Sequence, residues 1–273
     1  MIHHKSTRLF IVLGGFFVAN ALIAEFIGVK IFSLEQTLGL QTASINLFGQ
    51  TGLGFNLTAG VLLWPVVFVM TDVINEYFGK RGVRLLSFLA VGLICYAFIM
   101  FYFGIRLAPA DFWPTSHLRP SLSPEETEAL RMEVGNYNTA FRLVFGQGLW
   151  IILGSLVAFL IGQFVDVFVF HRIKRVTGER KIWLRATGST LVSQFIDSYV
   201  VLLVAFYISP AKWALGLVLA IGTVNYIYKF VMAIVLTPVI YAAHFVIDRY
   251  LGEELAHKLK ARAAGDTSHL PQK

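Results

Sequence analysis

Six long apolar stretches dominate this sequence, at about 9–32, 57–78, 83–107, 145–170, 184–208 and 213–247. Roughly 20 apolar residues cross the hydrocarbon core of a bilayer as one helix. In lipid every backbone polar group must be satisfied internally, which leaves only helices and closed barrels. A barrel would show alternating segments of about ten residues, a pattern absent here. The fold class is therefore an all-α integral membrane protein, a bundle of about six transmembrane helices. Composition agrees: 56% of residues are hydrophobic, 14% are charged and the mean hydropathy is +0.68, against about a quarter charged in soluble domains.

The few charges are bunched at span ends. The loop between the fourth and fifth spans carries Arg172, Lys174, Arg175, Arg180, Lys181 and Arg185. The turn between the second and third carries Lys80, Arg81 and Arg84, and the N-terminus carries Lys5 and Arg8. With six spans these regions and the basic tail share one side, so the positive-inside rule places both termini in the cytoplasm. The net charge of +7 then reflects orientation and anionic membrane lipid, not nucleic acid. Cys95 is the single cysteine, which excludes an intrachain disulfide. The first span lacks a small-residue cleavage site and is expected to stay in the membrane.

Residues 1–250 read as one transmembrane helical domain, and 251–273 as a polar cytoplasmic tail that frays after a turn or two of helix. Residues 33–56 are polar, with Glu35 the one acid, and suit a loop, a short hairpin or a re-entrant segment. From Ala108 to Asn138 the chain leaves the membrane. There Ser123, Pro124 and Glu126 form a helix-start signature, predicting a surface helix over 124–134.

Ionisable residues inside the spans constrain function. Each costs at least about 2.5–3.5 kcal/mol at a span centre, so it must face the bundle interior or a watery cavity. Span 2 ends in Thr71-Asp72-Val73-Ile74-Asn75-Glu76-Tyr77, and Asp72, Asn75 and Glu76 share a helical face. They could share a proton, hold a cation or accept hydrogen bonds from a ligand. The competing reading is that they reach the interface and pair with Lys80, Arg81 or Arg84. Gln163 and Asp166 in span 4 and Gln194 and Asp197 in span 5 repeat one Gln-Phe-x-Asp pattern. An interfacial salt bridge from Asp166 to His171 or Arg172 competes with a binding role. Gln194 and Asp197 lie mid-span, where a ligand or ion pathway is the stronger reading. Ser193 and Ser198 suit close helix packing. In span 6, Asn225 and Lys229 share a face, and Lys229 is too deep to reach water without an acid. Asp197 and Glu25 are its candidates. Asn20 and Glu25 sit centrally in span 1, with Lys30 a second option for Glu25. Pro238 should kink span 6.

No Walker A, Gly-x-Ser-x-Gly or His-Glu-x-x-His sequence occurs. The seven histidines, at 3, 4, 117, 171, 244, 257 and 269, are terminal, in loops or isolated. Neither a metal centre nor an enzyme is indicated.

The stretch from Leu57 to Lys80, with Thr71-Asp72-Val73-Ile74-Asn75-Glu76 at its core, resembles the characteristic run of queuosine precursor transporters, formerly described as vitamin uptake transporters. Ala19-Asn20, Gly162 to Asp166, Ser189 to Asp197 and Lys229 to Pro238 resemble the same family, so the resemblance covers all six spans in order. It implies an importer in the bacterial inner membrane for 7-cyano-7-deazaguanine, with 7-aminomethyl-7-deazaguanine a second candidate, serving tRNA modification. The substrate-binding residues it points to are Asn20, Glu25, Asp72, Asn75, Glu76, Gln163, Asp166, Gln194, Asp197, Asn225 and Lys229. Carboxylates would take the N–H donors of the base, amides would read its mixed edge, and Lys229 or Asn225 would donate to its carbonyl. No cofactor, metal or nucleic acid is implied, and a homodimer is left open. Proton coupling and facilitated diffusion both remain open. The rival reading is a substrate-binding membrane subunit of an energy-coupling-factor type vitamin or nucleobase importer, which would borrow a separate ATPase.

Overall fold

The computed structural model describes residues 5–119, 121–146, 149–177 and 182–264. The basic stretch 178–181 and the end of the tail, 265–273, lie outside the described residues. Five helical stretches are long and apolar enough to cross a membrane: Lys5–Ile27, Ala59–Gly104, one that ends at Thr177, Leu184–Ile208 and Leu215–Val235. Two compact units are described separately: residues 1–91 with 150–273, and residues 92–149.

In the first unit, α1 (Lys5–Ile27) is followed by a small β region. Strand β1 (Ile31–Ser33) leads into the short α2 (Leu34–Thr37), then β2 (Ile45–Leu47), β3 (Gln50–Leu53) and β4 (Asn56–Thr58). β1 pairs antiparallel with β4 in the register Phe32↔Leu57, and β2 pairs with β3. The β2–β3 turn is Phe48-Gly49, both at positive φ, as the two-residue turns that match strand twist require. Glu35 ties the region together. Its carboxylate accepts the Phe55 N–H at 2.8 Å and the Ala43 N–H at 3.3 Å, and Ser33 Oγ donates to it at 3.1 Å. These bonds hold its carboxyl below the usual carboxylate range, the Phe55 amide contributing most. Of the three readings of 33–56, the hairpin is therefore the one adopted.

A 3-10 turn (Ala59–Leu62) leads into α3 (Trp64–Gly104). α3 holds both stretches expected as spans 2 and 3, divided at Gly79, where φ is 64° and ψ −170°. The arms fold back on each other. A Cβ placed on Gly82 would meet Ile74 Cγ2 at 3.6 Å, a contact that a straight helix could not make across eight residues. Along α1, moreover, Phe10 meets Phe78, Gly14 meets Leu86 and Ala24 meets Gly60. Only glycine adopts the Gly79 geometry readily. Phe17, Val18 and Ala21 of α1, Val67, Met70 and Ile74 of the first arm, Val83, Leu86 and Ala90 of the second, and Phe159 form the main core.

α6 (Leu149–Thr177), α7 (Ile182–Leu202, continuing as a π-helical segment Leu203–Ile208) and α8 (Leu215–Val235) complete the long helices. The sixth apolar stretch breaks where Pro238 predicted a kink: α8 ends at Val235 and α9 begins at Thr237 (Thr237–Leu251). The tail is more ordered than its polarity suggests. α10 (Glu253–Ala264) packs Ala256, Leu255 and Leu259 near Tyr77, Ile247 and Leu251. Lys260 bonds Asp248 at 2.8 Å, and Asp248 accepts the Tyr77 hydroxyl at 2.7 Å. Burial of an apolar stripe turns a segment that would fray alone into stable helix.

The second unit contains the end of α3, a 3-10 turn at Trp113–Thr115, α4 (Pro124–Glu133) and α5 (Tyr137–Phe145). α4 begins with the expected reciprocal cap. Glu126 N–H donates to Ser123 Oγ at 3.2 Å, and Ser123 N–H to Glu126 Oε2 at 2.8 Å.

Candidate functional site

α7 carries polar residues every three to four positions: Arg185, Ser189, Ser193, Asp197, with Thr190, Gln194 and Ser198 beside them. This is the helical repeat, and it places one continuous polar stripe inside the first unit. All are buried except Asp197, which is half-buried.

The stripe meets a different partner at each level. Arg185 Nη2 donates to Glu76 Oε1 at 2.8 Å, and Lys174 Nζ of α6 donates to the same oxygen at 3.1 Å. Next, Ser189 and Thr190 donate to the two oxygens of Asp72 at 3.3 and 3.1 Å. Ser193 donates to Asp166 Oδ1 at 3.2 Å. Past Gln194, Lys229 Nζ of α8 reaches Asp197 Oδ2 at 2.5 Å. Around this array, His171 Nε2 lies 2.9 Å from Asn75 Oδ1, and Thr71 Oγ1 lies 3.0 Å from Gln163 Oε1. Ser155 donates to Glu25 Oε1.

Several expected pairings are replaced. Glu76 uses Lys174 and Arg185 instead of Lys80, Arg81 or Arg84, because the antiparallel α6 and α7 bring their ends against the first arm of α3. Asp72 accepts from two hydroxyls, Ser189 and Thr190, and from no cation among the described residues. Asp166 turns to Ser193 and not to His171 or Arg172; His171 is taken by Asn75, and Arg172 is exposed. Glu25 pairs with neither Lys229 nor Lys30, since Ser155 reaches it first. Lys229 does take Asp197. Asn20 donates to Phe16 O of its own helix at 2.8 Å. Asn225 is half-buried on α8 and has no side-chain hydrogen bond among the described residues.

Residues that sequence reasoning assigned elsewhere turn out to be central. By sequence Lys174 and Arg185 are loop charges and Ser193 a packing residue, and neither Thr190 nor Ser155 carries a motif of its own. The three-to-four spacing of hydroxyls on α7 was the signal that could have found Ser189, Thr190 and Ser193 together.

Buried polar groups in folded proteins nearly always have a partner, so the exceptions are informative. Among the described residues Gln194 lacks one for both Oε1 and Nε2, although it is only 2% exposed. Asp166 Oδ2, Asn75 Nδ2, Glu76 Oε2 and Gln163 Nε2 are likewise unpartnered. Gln194 faces a small cavity of about 10 Å³, lined also by Thr187, Thr190, Lys229, Pro65 and Leu236. That is room for about one water. The amide thus keeps a free donor and a free acceptor beside Thr190 and Lys229.

A family model described as "Putative vitamin uptake transporter" matches residues 58–243, a range that holds the array from Asp72 to Lys229. The chain belongs to this family. A "Probable queuosine precursor transporter" of Bacillus subtilis (strain 168) is 32% identical over 207 residues, covering 75% of this chain and 76% of that relative. The "Queuosine precursor transporter" of Escherichia coli (strain K12) is 27% identical over 215 residues, covering 77% of this chain and 81% of the relative. No solved structure matches. The protein is thus a membrane transporter, not an enzyme, and a multi-pass protein of the bacterial inner membrane.

Proposed function

We propose that this transporter imports a queuosine precursor, a 7-deazaguanine base such as 7-cyano-7-deazaguanine or its aminomethyl counterpart, through the polar array on α7. The observation that carries the reading is Gln194, whose buried amide leaves both its donor and its acceptor free beside Thr190 and Lys229. A deazaguanine edge presents N–H donors next to a carbonyl acceptor. Gln194 can take one of each, the free Oδ2 of Asp166 can take a further N–H, and Lys229 can turn from Asp197 to the carbonyl. The names of the relatives support the substrate class. Glu76, held by two cations, and Asn75, held by His171, hold helices together rather than read the base.

A planar bicycle is far larger than the cavity beside Gln194, so loading requires α7 and α8 to part. The π-helical segment that follows α7 and the break between α8 and α9 are the natural places to bend. The transporter on this reading crosses the membrane six times, through α1, the two arms of α3, α6, α7 and α8, with both termini in the cytoplasm.

The test is uptake of labelled 7-cyano-7-deazaguanine into liposomes containing only this chain. We expect saturable uptake that unlabelled deazaguanines compete away and that guanine and a vitamin do not. Absence of deazaguanine binding to the purified protein would overturn the substrate. Binding without uptake until an ATPase partner is supplied would favour an energy-coupling-factor subunit.

A further inference from the structure

A second cavity, of about 320 Å³, lies between the second arm of α3 and α6. Ligand pockets run roughly 300–1,000 Å³, so its size is in range. Its lining is graded. Beside the Gly79 turn stand Lys80 and Arg84, both exposed and neither with an acidic partner among the described residues. Deeper in, Ser87 Oγ and Gln163 Nε2 are buried and have no hydrogen-bond partner among the described residues. Ser87 lies about 10 Å along the helix from Lys80 at ~1.5 Å per residue. The walls are Phe88, Phe164 and Phe168, which are 61%, 70% and 60% exposed. In a membrane-spanning segment, rings exposed to that degree face hydrocarbon, so the groove opens sideways into the bilayer.

Cations, then uncharged donors, with aromatic walls alongside, is the chemical order of an anionic glycerophospholipid: phosphate, ester carbonyls, acyl chain. Basic pockets between membrane helices suit such headgroups. We propose that this groove is a binding site for one anionic phospholipid. Its phosphate sits on Lys80 and Arg84, an ester carbonyl accepts from Ser87 Oγ or Gln163 Nε2, and an acyl chain lies along Phe164 and Phe168. The transported base fits the groove poorly, because no carboxylate among the described residues lines it to take N–H donors. A second copy of the chain fits poorly as well, because a two-fold contact centred here would set the cations against their own copies. The inference does not depend on the identity of the transported substrate.

The test is native mass spectrometry of the detergent-purified transporter titrated with phosphatidylglycerol or phosphatidylcholine. One phosphatidylglycerol should be retained at concentrations where phosphatidylcholine is not. Lys80→Gln with Arg84→Gln should weaken retention about thirtyfold, roughly fivefold for each cation. Arg172→Gln with Arg175→Gln, exposed cations at the basic end of α6, should leave it unchanged. Ser87→Ala should weaken both lipids, since the ester carbonyl is common to them. Both cation variants change exposed side chains, and only protein that elutes as a single folded species is titrated. Equal retention of the two lipids would overturn the proposal. So would equal loss in the Arg172/Arg175 variant, displacement of lipid by inorganic phosphate alone, or occupation of the groove by a second copy detected through cross-linking at Phe164.

Discussion

The ion triad at one end of the array supports a quantitative prediction. Glu76 Oε1 accepts from Arg185 at 2.8 Å and Lys174 at 3.1 Å, and the three side chains are 1%, 1% and 8% exposed. One buried carboxylate oxygen thus accepts from two buried cations. Glu76→Gln preserves shape but removes the negative charge that both cations share. Hydrogen bonds to charged groups are each worth about 1.5–3 kcal/mol, and removing the partner of a buried charge costs about 3–5 kcal/mol. Interhelical bonds in bilayers run weaker, because the unfolded chain in the membrane also finds partners. The expected loss is therefore about 3 kcal/mol. Lys174→Met goes the other way in charge balance. It leaves one acid and one cation, and should cost no more than about 1 kcal/mol. Glu76→Gln with Lys174→Met and Arg185→Met removes all three charges and should recover most of the loss. Reversible unfolding in mixed micelles, followed by tryptophan fluorescence, measures each. If Lys174→Met costs as much as Glu76→Gln, or if the triple variant is the least stable, charge balance is not what holds these helices together.

Further expectations concern the binding array, the Gly79 turn and the β region. Gln194→Leu should abolish uptake while leaving stability equal or higher, because an unsatisfied buried amide costs about 1–3 kcal/mol that leucine does not incur; transport and unfolding assays on the same preparation separate the two effects. Asp197→Asn and Lys229→Met should each destabilise, and the double variant should be less destabilised than the sum of the two, a positive coupling read from a double-mutant cycle. Gly79→Ala should cost about 1–3 kcal/mol through its positive φ, with the Ala263 carbonyl 3.1 Å from the added methyl making the strain harder to relieve; unfolding measurements on the full chain test it. Glu35 has a carboxyl lowered below its ordinary value of 4.5 by the Phe55 amide and its companions, so its contribution to stability is present above pH 4.5 and lost as the pH falls through the lowered folded value. Hydrogen exchange at Phe55 and Ala43, corrected for intrinsic rates, should accelerate in that acid window, and Glu35→Gln should remove the pH dependence.

The parts of this protein legible in its sequence are those governed by local periodicity and solvent class. Apolar runs announced membrane helices because hydrocarbon tolerates little else. Gly79, Pro238 and Ser123 announced a turn, a break and a cap because each acts through its own backbone geometry or an immediate neighbour. The ionisable residues within the apolar spans were legible for the same reason, since their cost is a property of the span they occupy; Lys174 and Arg185, buried at the span ends, were not. The pairing of Lys229 with Asp197 was also within reach, because a deep lysine has few acids to choose from.

Partner choice was decided elsewhere. Glu76 has Lys80, Arg81 and Arg84 within a few residues, yet it bonds Lys174 and Arg185, about a hundred positions away. The reversal at Gly79 turns the nearer cations to another face, and the ends of α6 and α7 fill the space instead. Glu25 goes to Ser155 for a comparable reason, since packing brings a hydroxyl closer than either lysine. Sequence alone therefore determined which residues are costly to bury, and so which ones must have a task. Only the tertiary structure decided which of them satisfy one another and which, Gln194 above all, are left with bonds to offer, because hydrogen bonding is a short-range property of side chains that only packing brings together.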